Sequence, residues 1–396
     1  MSLLSDLGAR RIINARGTVT RLSGGIMHPD VIAAMTDASR QCFDMSELQA
    51  AASAEIARIT GAEAGYIASG ASACLMLGAA AAMTGLDAAS MARLPQDGPR
   101  REIIIVRSQR NAYDHALRAA GANLVEVGLP DRHAGAGVRD AQGWQIESAI
   151  TERTAAIFHV AAENAEPSLP EVVAIARRHG LPVLVDAAAQ LPPQANLRRF
   201  IEVGADLVAF SGGKVLGGPQ ASGFLCGRRD LIMAAALQHL DLDQYIDTWT
   251  PPDTLIDRRR LVGMPVTGIG RPCKAGKEEI AGLLAALQLF VREGDGVRHA
   301  RWLATLAAVR EANTDWRAGM SIQHEADNDR VPHISIDTGS PEAARQLTRR
   351  LLSHSPAIHV DDSERHHGRI ILSPLALDVE DAAIVGRALD AAKPGL

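Results

Sequence analysis

The fold of this 396-residue chain is decided by Asp206-Leu-Val-Ala-Phe-Ser-Gly-Gly-Lys214-Val-Leu-Gly-Gly-Pro-Gln220. An apolar run typical of a strand, Leu207–Phe210, leads directly into a glycine-rich loop that contains Lys214. A second apolar run, Leu181–Val185, ends at Asp186, upstream of the lysine. Ligands of open α/β sheets bind beyond the carboxyl ends of the strands, so the pattern predicts that Lys214 and Asp186 share one site.

Strands and helices alternate through the middle of the chain, which is typical of parallel strands with helices on both faces. The predicted strands are 102–106, 123–127, 155–160, 182–185 and 207–210. The predicted helices between them are 112–120, 146–149, 170–179 and 197–203. The strand 224–226 follows the lysine loop too closely for a crossover helix, so we expect it to be antiparallel.

The pattern predicts three parts of the chain. Residues 1–45 form an N-terminal arm that packs with a small domain, 46–260 form a large domain, and 261–396 form the small α+β domain. The elements predicted outside the alternating region are helices at 47–60, 278–292, 300–313, 341–352 and 379–391, and strands at 331–337, 357–360 and 369–372.

Composition excludes several classes of protein. The net charge of −5 argues against a broad nucleic-acid surface, and 47% hydrophobic residues fit a soluble globular protein. The first residues lack a basic region followed by an apolar run, so we expect no signal peptide, and the low-charge run 64–83 is better explained by a buried helix than by a membrane span. The four cysteines form no close pair, so we expect reduced, buried thiols in a cytoplasmic protein without a metal site.

Lys214 and Asp186 are the residue types that a pyridoxal 5'-phosphate (PLP) enzyme needs. The lysine bonds the cofactor aldehyde, and the aspartate pairs with the pyridinium nitrogen. Two structural alternatives stay open, namely an exposed loop lysine and an aspartate that caps a helix. A phosphate-binding P-loop is excluded, because no glycine precedes Gly-Gly-Lys214 at the required spacing and no serine or threonine follows it.

A turn of small residues supplies a candidate phosphate site. Ser69-Gly70-Ala71-Ser72 immediately precedes a predicted helix, whose positive end and free amides favour an anion. Ser211 and Gly212 of the lysine loop are expected to add donors.

The chain resembles the bacterial selenocysteine synthase (L-seryl-tRNA selenium transferase) family of fold-type I PLP enzymes. The matching segments are Ile-Asn-Ala-Arg-Gly-Thr-Val at 13–19, 56–64, 121–128, 206–220, and 270–274 with 276–280. The resemblance implies a mostly parallel, seven-stranded sheet with helices on both faces and a smaller carboxyl-terminal α+β domain. It also implies that Lys214 holds PLP and that Asp186 is the pyridinium partner.

Departures from the family pattern indicate a small substrate. The first motif begins at residue 13, so we expect no tRNA-binding domain before it, and Thr20-Arg-Leu-Ser-Gly24 replaces the family's His-Thr-Asn-Leu-Gly. The chain is more similar to the short relatives that act on free amino acids, among them the D-glucosaminate and D-glucosaminate 6-phosphate ammonia-lyases.

Further candidate residues each have a structural alternative as a cap, salt-bridge or surface residue. By resemblance to related PLP enzymes, Arg110 or His115 is expected to contact the cofactor ring, and Asn164 or Gln190 to approach its hydroxyl. Arg16, Arg271 and Lys274 are candidate binders of a substrate carboxylate, or of a phosphate from a neighbouring subunit. Arg369 is a candidate partner of the substrate carboxylate.

The sequence predicts a PLP-dependent lyase that releases ammonia from a small hydroxy amino acid by α,β-elimination. D-Glucosaminate is the leading substrate. An aldolase, racemase or aminotransferase remains possible, and selenium transfer to seryl-tRNA is the least favoured alternative. The expected assembly is a homodimer or higher homo-oligomer, with no nucleic-acid or membrane partner.

Overall fold

The computed structural model describes residues 3–129, 140–263, 266–316 and 319–392. Its strands are β1 (Ile12–Ala15), β2 (Ala64–Ala68), β3 (Glu102–Val106), β4 (Asn123–Val127), β5 (Thr154–Val160), β6 (Val183–Asp186), β7 (Leu207–Ser211), β8 (Gly223–Gly227), β9 (Met320–Gln323), β10 (His333–Asp337), β11 (Ala357–Val360) and β12 (Arg369–Leu372). Its helices are α1 (Leu3–Asp6), α2 (Pro29–Ser39), α3 (Met45–Thr60), α4 (Ala71–Thr84), α5 (Ala88–Arg93), α6 (His115–Ala119), α7 (Gly143–Ser148), α8 (Leu169–Arg178), α9 (Asn196–Val203), α10 (Arg229–His239), α11 (Lys277–Glu311), α12 (Pro341–Leu352) and α13 (Val379–Ala391).

The large sheet has the described strand order β2-β8-β7-β6-β5-β3-β4. Strands β3 to β7 pair in parallel, whereas β8 is antiparallel to both β7 and β2. The predicted α/β class with a mostly parallel sheet is therefore confirmed, as is the antiparallel strand after the lysine loop. Residue Asp186 is in register with Ala209, so the ends of β6 and β7 lie at the same edge of the sheet.

Two apolar cores cover the two faces of this sheet. Helix α4 and helix α10 pack on the face that includes Leu184 and Ala209. Helices α3, α8, α9 and the first half of α11 pack on the face that includes Val185 and Val208. Side chains alternate between faces along a strand, so Asp186 faces the α4 side and His159, the register partner of Val185, faces the α8 side.

The carboxyl-terminal part forms a separate small sheet, in which β10 lies between β9 and β12. The arm strand β1 pairs in parallel with β11, with Ile13 opposite Ile358. A third apolar core combines β1 with α12, α13 and the end of α11. The arm therefore contacts the small domain, although the exact domain boundaries stay a prediction.

Some local predictions were wrong. Two helices are present as predicted at 278–292 and 300–313, but only a kink at the non-helical Gly294 (φ 72°, ψ 167°) separates them within α11, in place of the expected linker. Only His115–Ala119 of the predicted helix 112–120 is α-helical, and Ala112–Asp114 is a 3₁₀ turn. Strands β1 and β9 and helix α10 were not predicted.

Cysteine and membrane predictions can also be compared with the structure. Cys74 and Cys226 are buried as expected, but Cys42 is exposed, because it lies in the loop between α2 and α3. Among the described residues, no helix is long and apolar enough to cross a membrane.

Candidate functional site

The loop between β7 and β8 holds Lys214 in a half-buried position. The N–H of Gly218 donates to the carbonyl of Gly212 at 2.9 Å, so the loop folds back on itself. A Cβ at Gly213 would lie 2.7 Å from the Cα of Gln220, which is closer than packed atoms approach. The glycines around the lysine therefore serve close backbone packing, and the short loop limits where Lys214 can extend.

Asp186 occupies the end of β6 and is half-buried. One of its carboxylate oxygens accepts a hydrogen bond from the N–H of Ala188 at 3.0 Å. This bond fixes the carboxylate at the strand end, on the same face of the sheet as α4. A ligand that lies on this face beyond the strand ends meets Asp186 from β6 and Lys214 from the loop after β7.

Burial controls the electrostatics of both residues. Desolvation raises the pKa of Asp186, and the Ala188 N–H and the charge of Lys214 oppose that shift. Desolvation lowers the pKa of Lys214, and the charge of Asp186 opposes that shift. Both residues therefore favour their neutral forms relative to water, and a neutral lysine is the form that attacks an aldehyde or removes a proton.

The turn Ser69–Ser72 lies at the start of α4, a helix of 14 residues without a side-chain cap. The first amides of a helix have no partner within it, and they favour an anion. Gly223 of β8 packs directly against this turn, because a Cβ there would lie 2.6 Å from the amide nitrogen of Ala71. Since Gly223 is also opposite Ser211 in the sheet, the helix start lies beside the end of β7.

These features match the chemistry of PLP in three independent ways. The uncapped α4 start suits a phosphate, Asp186 suits a protonated ring nitrogen, and Lys214 suits an aldehyde carbon. In addition, the buried Nε2 of Gln109 has no acceptor among the described residues, while its Oε1 accepts from the N–H of Val160 at 2.9 Å. Val160 is the register partner of Asp186, so Gln109 lies at the same strand ends and offers a donor to a ring substituent.

The two predicted donors from the lysine loop differ in the structure. The N–H of Gly212 donates to the carbonyl of Ser222 at 2.9 Å. This N–H is therefore not available to donate to a cofactor, contrary to the prediction. Ser211 is half-buried at the end of β7, beside Gly223 and the α4 start.

The N-terminal arm covers Lys214. A cavity of about 530 Å³ is lined by Lys214, by arm residues 25–28 and by residues of the small domain. The buried Asn14 shapes the arm, since its Nδ2 donates to the carbonyls of Gly17 at 2.9 Å and Gly24 at 3.0 Å. The Asn-Ala-Arg-Gly-Thr motif thus forms a turn above the lysine.

Arg271 and Lys274 line a different cavity, of about 510 Å³, together with Tyr66 and His239. The carbonyl of Cys273 accepts from the N–H of Ser69 at 3.1 Å, so this basic segment lies next to the α4 start. Arg271 also forms an ion pair with Asp241 at 2.8 Å. The structure therefore places both residues near the candidate phosphate site, in a cavity that Phe43 and Asp44 at the end of the arm also line.

Two other candidate substrate-binding residues, Arg16 and Arg369, are each engaged in an ion pair. Arg16 lies 3.1 Å from Asp362 of the small domain, and Arg369 donates to Glu364 at 2.7 Å. Neither residue lines the cavity that contains Lys214. Both contacts fit the alternative in which these arginines are salt-bridge residues. A role in binding the substrate carboxylate stays a prediction.

Arg110 and His115 lie on the surface after β3. Arg110 pairs with Asp114 and Glu126, and the exposed His115 ring lies 3.2 Å from a guanidinium nitrogen of Arg118. A helix-cap or surface role is enough to explain the contacts of both residues. Gln109, one residue before Arg110, is a polar side chain that reaches the strand ends; its position three residues after the buried strand β3 was the available signal.

Asn164 and Gln190 lie in the turns that follow β5 and β6. Asn164 is exposed, and the Nε2 of Gln190 donates to the carbonyl of Ala161 at 2.8 Å. Gln190 therefore ties the two turns together. It also lines a cavity of about 760 Å³, together with His159. Sequence reasoning missed His159, a polar residue inside an apolar strand.

The architecture and this constellation define the class of protein, a fold-type I PLP enzyme fold. A solved structure described as D-glucosaminate-6-phosphate ammonia-lyase superposes with a TM-score of 0.76 and 26% sequence identity, covering 99% of this chain and 98% of that one. The expected seven-stranded sheet and smaller carboxyl-terminal domain are therefore confirmed.

Comparison with known sequences then identifies the family. Residues 12–247 match the family described as SelA: L-seryl-tRNA selenium transferase, and the chain belongs to this family. A Streptomyces protein named 5'-C-glycyluridine monooxygenase-decarboxylase is 32% identical over 97% of this chain and 90% of its own length. The D-glucosaminate-6-phosphate ammonia lyase of Salmonella typhimurium is 29% identical over 98% of this chain and 96% of its own length.

Proposed function

We propose that this chain is a PLP-dependent lyase that releases ammonia from a small free hydroxy amino acid by α,β-elimination, with a D-glucosaminate-like substrate. The observation that carries the proposal is the half-buried pair of Lys214 and Asp186 beside the uncapped start of α4. The similarity to an ammonia lyase over nearly the whole of both chains supports the reaction type.

Each residue has a defined task in this reaction. The α4 amides bind the phosphate, and Asp186 holds a proton at the ring nitrogen. PLP, when bound, supplies an electron sink for the bond that breaks at the substrate Cα. Lys214 would hold the cofactor aldehyde, and its lowered pKa keeps more of the amine neutral, which is the form that can accept the Cα proton.

The overall change balances without an oxidant. The proton leaves Cα, the hydroxyl leaves the β-carbon as water, and hydrolysis of the resulting enamine gives an oxo acid and ammonia. The arm and small domain limit the access of solvent to Lys214, because they line its cavity on two sides. No other reactant is required, so purified protein, PLP and substrate are sufficient for the test.

Oxidative decarboxylation is the second candidate function, because the Streptomyces relative matches 97% of the chain. A monooxygenase consumes O₂ and a decarboxylase releases CO₂, whereas the proposed lyase does neither. Retro-aldol cleavage would give an aldehyde product, and racemisation would be detected as loss of chirality. Transamination would require an added oxo acid.

The deciding experiment incubates the PLP-loaded protein with D-glucosaminate, D-serine and L-serine, with and without O₂. We expect ammonia and an oxo acid at equal rates in both atmospheres. Asp186→Asn should lower that rate by about 10²–10⁴-fold, because a neutral amide does not hold the ring proton. The proposed reaction would be disproved if ammonia formed only when O₂ is present and CO₂ is released. It would also be disproved if Asp186→Asn kept the full rate.

A further inference from the structure

The cavity of about 760 Å³ lies at the carboxyl edge of the large sheet, on the face opposite Asp186. The turns after β5 and β6 line one side of it, and residues 324–333 of the small domain line the other. The ion pair between Glu163 and Arg330 joins these two sides. The cavity is therefore an interdomain space beside the proposed catalytic centre, with a volume suited to a small molecule.

Two buried polar side chains line this space. His159 is 2% exposed and lies at the cavity wall. Asn196 is 8% exposed; its Nδ2 donates to the carbonyl of Gln190 at 2.7 Å, but its Oδ1 has no donor among the described residues. Buried polar groups are paired in nearly all folded proteins, so the unpaired Oδ1 of Asn196, with the His159 ring on the same cavity, indicates a ligand with complementary groups.

The required ligand groups follow from hydrogen-bond chemistry. Burial lowers the pKa of His159 to about 4, so the ring is neutral at neutral pH and offers one donor and one acceptor. The Oδ1 of Asn196 needs a donor. A hydroxyl group supplies both a donor and acceptors, whereas a carboxylate or phosphate supplies acceptors alone.

The charges around the cavity argue against an ionic ligand. Arg199 and Arg330 are accompanied by Glu163, Asp327 and Asp329, so neither sign dominates. Among the described residues, no group of three or more histidines, cysteines and carboxylates is arranged to hold a metal ion. A neutral, hydroxylated group is the chemistry that remains.

We propose that this cavity is the subsite for the polyhydroxylated tail of the substrate, with His159 and Asn196 as its specificity-determining residues. The inference rests on the proposed function, because the tail is attached to the amino acid that reacts at Lys214. Strand β5 connects the two sites: His159 faces the cavity, and the next residue, Val160, is in register with Asp186. The proposal implies that the tail of a six-carbon sugar acid enters the cavity and that a serine-sized substrate is too short to do so.

The test measures binding without turnover. D-Gluconate and D-lactate share a carboxylate and an α-hydroxyl, but only gluconate has a polyol tail, and neither has the amine needed for reaction. Calorimetric titration of the PLP-loaded protein should give a gluconate affinity at least about tenfold above that for lactate, as expected for two or more additional hydrogen bonds.

Variants identify the residues responsible. His159→Leu and Asn196→Leu should each remove most of the preference for gluconate and leave lactate binding unchanged. His159→Gln keeps a donor and an acceptor and should restore part of the preference. His239→Leu is the matched control: His239 is equally buried and has its pKa lowered to about 4, but it bonds Tyr66 in another cavity. It should keep the preference even if stability falls.

The outcomes separate the subsite from the reaction. Equal affinities for gluconate and lactate, or a preference that survives both leucine substitutions, would overturn the subsite even if ammonia is released. If no amino acid yields ammonia but the gluconate preference depends on His159, the lyase assignment fails and the tail subsite stands. Thermal unfolding of every variant establishes that a lost preference is not lost folding.

Discussion

Asp186 and Lys214 act on each other from neighbouring strands, the aspartate at the end of β6 and the lysine three residues beyond β7. The charge of each residue opposes the pKa shift that burial imposes on the other. Burial is the larger effect for both. The pair is therefore less ionised than in water, and a bound pyridinium that replaces the lysine charge would return Asp186 to its carboxylate form.

This balance predicts the pH at which Lys214 becomes reactive. In cofactor-free protein, labelling of Lys214 by an amine-specific reagent should have its midpoint below the ordinary lysine value of 10.5. Asp186→Asn removes the charge that raises the pKa of Lys214, so the midpoint should fall further. Peptide mass spectrometry over a pH series measures both values. A midpoint that rises in the asparagine variant would contradict the electrostatic assignment.

Replacement of the lysine tests its role directly. Lys214→Ala should abolish covalent attachment of PLP after borohydride reduction and lower ammonia release by at least about 10²–10⁴-fold, because the base is lost. Lys277→Ala is a suitable control, since Lys277 pairs with Glu278 at the start of α11 and does not line the cavity that contains Lys214. If mass spectrometry finds the cofactor on another lysine, the site is misplaced.

Gly223 is predicted to be essential for the phosphate turn. In Gly223→Ala the new Cβ would meet the Ala71 amide nitrogen at 2.6 Å and the Phe210 carbonyl at 2.8 Å. We expect a loss of about 1–3 kcal/mol in unfolding free energy and weaker PLP binding, because the start of α4 must shift. Denaturant unfolding and equilibrium dialysis measure the two effects.

Gly296→Ala is the control for this substitution. A Cβ at Gly296 has no atom within 4 Å, and the residue lies in α11. Its stability should be unchanged or higher by about 0.4–1 kcal/mol. Normal PLP affinity in Gly223→Ala would show that the turn does not hold the phosphate.

The lowered pKa of His159 predicts that part of the free energy of unfolding is lost in acid. Its folded pKa of about 4 lies below the ordinary 6.5, so as the pH falls the unfolded chain binds a proton first. The stability that depends on a neutral His159 is complete above pH 6.5 and is lost as the pH falls toward 4. His159→Leu should therefore lose less stability over that interval than the wild type, by up to about 3 kcal/mol.

Unfolding free energies at the two ends of the interval check this prediction. The carboxylates titrate in both proteins, so their contribution cancels in the comparison. Equal losses in variant and wild type would mean that the histidine is not held neutral in the folded state.

Much of the fold could be predicted because short stretches of sequence indicate its strands and loops. The five parallel strands of the large sheet are short apolar runs, and β7 is followed by a loop whose glycines permit close backbone contacts. The strand β1 was missed because its partner, β11, lies far along the chain, and pairing at that distance leaves no local signal. The two helices within α11 were predicted separately, in agreement with the kink at Gly294 that divides them.

The candidate site divides in the same way. The sequence by itself determined the types and order of the chemical groups: the phosphate turn, Asp186 and Lys214 each adjoin a strand end, and parallel strands bring their ends to one edge. The tertiary structure decided which other side chains face that edge. It committed Arg110 to surface ion pairs and brought Gln109 to the strand ends. It also buried His159 at the wall of the interdomain cavity, which depends on contacts between segments distant in sequence.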